Sequence, residues 1–171
     1  PQELVDAVRS GDCAAFVGAG LSVGAGLPDW KTLLRDMLAW SREQGVGLKG
    51  KLRDIQKEIR EGKLIDVAQT LREEMGDQRF YEFMNQRFRA PGLKPSENHR
   101  LVAGLPFACV LTSNFDKLIE EACAAASQTM PRVYTQQDTS VLANLQREKA
   151  FYVLKLHGDV DRMDTIVLGR R

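Results

Sequence analysis

Three short segments of the chain carry groups suited to chemistry. Gly18-Ala19-Gly20-Leu21-Ser22-Val23-Gly24-Ala25-Gly26 follows the apolar run Cys13 to Val17 and precedes a helical pattern. A strand, a glycine-rich turn and a helix in that order bring backbone N–H groups up to a phosphate. Glycine permits the close approach, and a helix N-terminus favours negative charge. The diphosphate of a nucleotide is expected at Gly18, Ala19, Gly20 and Ser22. The second segment, Thr112-Ser113-Asn114-Phe115-Asp116, supplies a carboxamide and a carboxylate. The third, Lys155-Leu156-His157-Gly158-Asp159, supplies an imidazole, a group that exchanges protons near neutral pH.

The glycine segment differs from its commoner relatives. The third glycine of a G-x-G-x-x-G fingerprint would fall on Val23, and Gly24 comes one residue late. The acidic residue on a second strand that would hold a ribose hydroxyl is replaced by a helical pattern from Lys31 to Trp40. No G-K-[ST] occurs, which excludes a P-loop. Each group also has a plainer reading. The glycines could merely link strand to helix, and Asn114 could cap the following helix. Asp116 could favour that helix's positive end, and His157 could be a structural hydrogen-bonder. His99, in a polar helix start, reads as surface-exposed and without a role. Trp30 and Phe115 suit a core as well as a stacking surface. Lys31, Lys49, Lys51 and Arg53 read as solvated faces.

The elements that must position these groups follow from periodicity. A helix is expected over 2–9 and a strand over Cys13 to Val17. Pro28 and Asp29 suit the start of a helix whose Leu33, Leu34, Met37 and Leu38 share one face, ended by Gly45 and Gly47. Residues 51–60 repeat that spacing with Leu52, Ile55 and Ile59, and residues 63–75 with Leu64, Val67, Ala68, Leu71 and Met75. Phe80, Met84 and Phe88 mark a further helix, broken at Pro91. This block, about residues 45–90, reads as a small helical insertion rather than a second domain. Ser96 can cap a helix through Ala103. Phe107 to Leu111 and Phe151 to Leu156 are continuous apolar runs of the kind that parallel strands show when both faces are covered. Phe115 to Ala126 reads as helix, Val133 and Tyr134 as a short strand, and Thr165 to Leu168 as strand-like. Asp138 is expected to cap a helix containing Val141, Leu142 and Leu145. The alternation implies an α/β fold, a parallel sheet with helices on both faces. Such sheets bind ligands beyond the C-terminal ends of their strands, where all three segments fall.

The 171 residues suit one domain, or most of a larger one. The chain begins at Pro1 and stops just after a strand-like stretch, and reads as a piece of a longer protein. With 43% hydrophobic and 27% charged residues the composition is that of a globular protein. A net charge of +1 gives no electrostatic reason to expect nucleic-acid binding. No apolar stretch is long enough to span a bilayer, and the N-terminus is no signal peptide. The three cysteines, Cys13, Cys109 and Cys123, are widely spaced and form no C-x-x-C pair. A reducing, cytoplasmic setting is expected, with no disulfide framework and no zinc ribbon.

Gly18-Ala19-Gly20-Leu21-Ser22, Gly26-Leu27-Pro28-Asp29-Trp30, Thr112-Ser113-Asn114-Phe115-Asp116 and His157-Gly158 together resemble the sirtuin family in order, spacing and strand-end position. The resemblance spans residues 13 to about 168. It implies a Rossmann-like domain that binds NAD as substrate. Gly18, Ala19, Gly20, Ser22, Pro28, Asp29, Trp30 and Ser113 would line the site. Asn114 and Asp116 would line the nicotinamide-ribose pocket, and His157 would be the base. Protein-deacylating sirtuins usually have arginine where this chain has Lys31. Their four-cysteine zinc module begins soon after His-Gly, whereas residues 159–171 hold no cysteine. The adenosine-side motifs of the family would lie beyond Arg171. The chain is thus more similar to the zinc-less sirtuin-like domains of prokaryotic anti-phage defence, which hydrolyse NAD without a metal. That branch implies a fused or associated sensor, short Argonaute-type proteins among them, and a homo-oligomer is the further expectation. The competing readings are an NAD-dependent protein deacylase and a non-catalytic module that senses NAD or ADP-ribose.

Overall fold

The computed structural model describes residues 2–48, 50–138, 141 and 150–169. In chain order the elements are α1 (Gln2–Arg9), β1 (Ala14–Val17), α2 (Ala19–Val23), α3 (Trp30–Glu43), α4 (Leu52–Glu61), α5 (Leu64–Phe88), α6 (Glu97–Ala103), β2 (Cys109–Thr112), α7 (Leu118–Ser127), β3 (Arg132–Thr135) and β4 (Tyr152–Lys155). They fall into two compact units, Pro1–Gly26 with Gly92–Ile166, and Leu27–Pro91 with the residues from Val167 onward.

The first unit is built on a four-stranded sheet of order β1-β2-β4-β3 in which every pairing is parallel. Val17, Thr112, Lys155 and Thr135 are in register across it, so all four C-terminal ends share one edge. Side chains alternate across a strand. Ala15, Val110 and Val153 therefore face one way, against Ile119 and Cys123 of α7, Val102 and Ala103 of α6, and Leu21 of α2. This is the parallel α/β arrangement that the strand–helix alternation implied, and it is consistent with the Rossmann-like fold that the family resemblance implied.

Three local outcomes differ from the sequence reading. The glycine segment is not an open turn: Ala19–Val23 winds into one short helix after Gly18, whose carbonyl accepts Leu21 N at 2.9 Å. Next, α7 begins at Leu118, three residues later than Phe115, because Asp116 Oδ1 takes the Leu118 N–H at 3.0 Å and keeps 114–116 out of the helix. Residues 165–168 are not a strand; Met163–Thr165 is a single 3₁₀ turn, its Thr165 wholly buried. Asp138 accepts Thr135 N at 2.7 Å, while the helix expected through Leu142 and Leu145 lies outside the described residues, as does Lys49.

The second unit is helical. Leu33, Leu34, Met37 and Leu38 of α3, Ile55 and Ile59 of α4, and Val67, Ala68, Leu71, Met75, Phe80 and Met84 of α5 are all buried, as their spacing requires. Trp40 meets Phe83 edge to face at 5.8 Å. Gly76, at φ 71° and ψ 168°, kinks α5 between its two apolar stretches; this conformation is open almost only to glycine.

Candidate active site

The C-terminal edge of the sheet gathers a buried polar cluster around Ser22, which is 2% exposed. Ser22 Oγ donates to Asp116 Oδ2 at 2.9 Å and accepts from Asn114 Nδ2 at 3.0 Å. It also lies 3.3 Å from His99 Nε2. A hydroxyl offers one donor and two acceptor lone pairs. With Asp116 and Asn114 assigned, Nε2 must be the nitrogen that carries the proton and donates to Ser22. The other ring nitrogen agrees, since Nδ1 accepts the Ser96 backbone N–H at 3.2 Å. An accepting Nδ1 makes the imidazole neutral, and burial pushes the His99 pKa down, against the opposing pull of Asp116.

His99 is thus wholly buried at the hub of the cluster, not on the surface as its polar neighbours suggested. The missed signal is the Ser96-x-x-His99 spacing. A residue three after a helix N-cap can reach back to the cap's N–H, which draws its ring over the first turn of α6 and inward.

Asn114 is held by both hydrogens of its carboxamide. Nδ2 donates to Gly18 O at 3.1 Å as well as to Ser22, and Asn114 N donates to Thr112 Oγ1 at 3.0 Å. Its Oδ1 is buried and has no hydrogen-bond partner among the described residues. Such a carbonyl is costly unless something donates to it. Asp116, by contrast, is fully used: Oδ1 takes Leu118 N, Oδ2 takes Ser22, and the residue is 3% exposed.

His157 stands in the turn two residues past β4, and Asn114 two residues past β2. Because Thr112 pairs with Lys155, and Leu156 N bonds Thr112 O at 2.8 Å, the two residues leave adjacent strands side by side. His157 is exposed. Gly158 beside it has φ +98°, and a Cβ there would come within 2.7 Å of Ile166 Cα. Glycine is therefore required for that turn to close.

The glycine turn offers open space. A Cβ on Gly20 would meet nothing within 4 Å, and a groove of about 500 Å³ runs between Gly18, Gly20 and Leu21 on one side and Asn98, Leu101 and Val102 of α6 on the other. Neither Asn114 nor His157 forms its walls. Ser113 is half-buried in the turn after β2. Pro28, Asp29 and Trp30 belong to the helical unit. Asp29 caps α3 there by accepting Thr32 N at 2.7 Å, a bond that lowers its pKa. Among the described residues no group of three or more His, Cys, Asp or Glu side chains suits a metal ion, and no helix is long and apolar enough to cross a membrane.

A parallel sheet with a glycine turn, a held carboxamide and an imidazole at its C-terminal edge defines an α/β domain of the kind that receives ligands at that edge. Comparison with known proteins agrees. The family model of the SIR2-like domain matches residues 108–171. Over 98% of its length the chain is 32% identical to an NAD(+) hydrolase ThsA of Cytobacillus dafuensis, covering 30% of that protein. It is 33% identical over 96% of its length to the same-named protein of Enterococcus faecium, covering 31% of it. Defense-associated sirtuin 2 of Bacillus subtilis is 25% identical over 92% of the chain and 14% of that protein. The likeness to the SIR2-like model thus rests on residues 108–171, and the chain spans under a third of the length of the curated relatives it matches.

Proposed function

We propose that this chain is the catalytic domain of an NAD+ glycohydrolase that converts NAD+ and water to nicotinamide, ADP-ribose and a proton, as an effector of prokaryotic anti-phage defence. The names of its relatives support this reading. The observation that carries it is Asn114: both amide hydrogens are spent on the protein, and its buried Oδ1 awaits a donor. A ribose hydroxyl or the attacking water is such a donor.

The reaction asks for few groups. Positive charge develops on the sugar as in glycoside cleavage, and the pyridine leaves neutral, so no general acid is needed. Asn114 orients the hydroxyl or water through Oδ1. His157, exposed beside it, accepts the proton. Asp116 lies beneath the cluster, where its carboxylate favours the developing cation, and holds Ser22 in place. Ser22 acts on the substrate only through Asn114, since its hydroxyl is saturated. The N-terminal amides of α2 at Gly18, Ala19 and Gly20 take the diphosphate, with Ser113 adjoining. The family resemblance alone adds Pro28, Asp29 and Trp30 to the NAD contacts. A fused or associated sensor, self-assembly and a cytoplasmic setting complete the proposal.

The test is nicotinamide release from NAD+ by the full-length protein and by its Asn114→Ala variant. Release by the wild type alone is expected. Equal release by both would remove Asn114 from the mechanism.

A further inference from the structure

Lys155 ends β4 on the same face as Val153 and is wholly buried. Its Nζ lies 2.6 Å from Glu120 Oε1 of α7 and 3.1 Å from Asp159 Oδ2. It also donates to the main-chain carbonyls of Asp116 at 2.6 Å and Phe115 at 3.3 Å. Two carbonyls thus take its N–H donors while two carboxylates lie at ion-pair distance, and the more distant carbonyl, Phe115 O, receives Val160 N at 3.1 Å as well. Filling this space does not require a charge, because an apolar pair of similar volume often serves a core as well as a buried ion pair. What an apolar side chain cannot do is hold two carbonyls. Those carbonyls lie between the last residue of β2, Thr112, and the first of α7, Leu118, in the turn that carries Asn114 and Asp116. The cation's own strand carries His157 two residues further on.

We infer that Lys155 is a positioning residue: its ammonium clamps the Phe115–Asp116 backbone to the end of β4 and so fixes the Asn114 carboxamide relative to His157. Its catalytic consequence rests on the NAD-cleavage reading; the clamp itself does not.

The test compares the full-length wild type with Lys155→Met and with the double variant Lys155→Met/Glu120→Leu. The single change strands the Glu120 and Asp159 carboxylates and is expected to lower the melting temperature. The double change removes the Lys155 and Glu120 charges, leaving Asp159, and is expected to recover most of the loss while taking the Lys155 donor from the Asp116 carbonyl and leaving Phe115 O only Val160 N. The double variant should then show kcat for nicotinamide release lower by on the order of 100-fold, with KM little changed. Amide hydrogen exchange across 114–118 should quicken. Wild-type kcat in a folded double variant overturns the proposal. In the wild type itself, the Asn114 and Leu118 amides should exchange as slowly as those of β2. Exchange at open-loop rates there overturns the clamp even where neither variant folds. Absence of NAD cleavage by the wild type would instead sink the enzymatic reading, and the exchange data would still decide the clamp.

Discussion

The Asn114 carboxamide bonds the Gly18 carbonyl at 3.1 Å across 96 residues of chain. That bond fixes which end of the carboxamide faces the protein. Asn114→Asp puts an acceptor against the Gly18 carbonyl and removes both donors, so it should destabilise the fold by about 1–3 kcal/mol. Asn114→Ala removes the orienting oxygen and should lower turnover on the order of 10²–10³-fold. Urea denaturation and nicotinamide release, measured on the same preparations, separate the two effects.

His157 gives the opposite signature. Its side chain is exposed and makes no hydrogen bond among the described residues, so His157→Ala should change stability by less than about 0.5 kcal/mol. Turnover should still fall by roughly 10²–10⁴-fold if the imidazole takes the proton. Undiminished turnover in a folded variant would assign the proton to another acceptor.

Stability should fall on the acid side because of His99. Burial depresses its folded pKa below the ordinary value of 6.5, so below that pH the unfolded chain binds a proton that the folded protein refuses. The contribution is therefore complete above 6.5 and is lost as pH falls through the lower folded value. Urea midpoints taken from neutral pH downward should decline through this window, and His99→Gln should flatten that decline. An unchanged slope in the variant would show that His99 is not the group responsible.

Gly158→Ala combines a positive φ with a Cβ 2.7 Å from Ile166 Cα. Such backbone strain costs about 1–3 kcal/mol, and relief requires moving the turn that holds His157. Both the denaturation midpoint and the rate of nicotinamide release should drop. A variant with full stability and full rate would show that the turn yields freely.

Much of this was legible in the residues. Apolar runs without alternation marked β2 and β4 as covered strands, and the 3.6-residue spacing of Leu33, Met37, Leu71 and Met75 marked the helical unit. The three strand-end segments were readable because a parallel sheet puts them on one edge. What stayed hidden depends on packing at a distance. His99 looked polar because its neighbours are, and its burial follows from α6 lying beside Ser22. Alternation places Lys155 on the face of Val153, yet nothing local shows that Glu120, on another element, will meet it. Thr165-Ile166-Val167 has strand-like composition, but propensity yields to the Thr165 hydroxyl, which receives Asp159 N and ties off the turn. The helical turn of α2 was masked by its glycines, which read locally as loop.

The long span between Gly18 and Asn114 also bears on synthesis. A ribosome that has reached residue 100 has made the glycine turn and neither the carboxamide nor the imidazole. Closing so large a loop is entropically slow, so these groups meet only once β2 and β4 have docked. In the proposed role, an incomplete nascent chain is harmless to the cell that makes it.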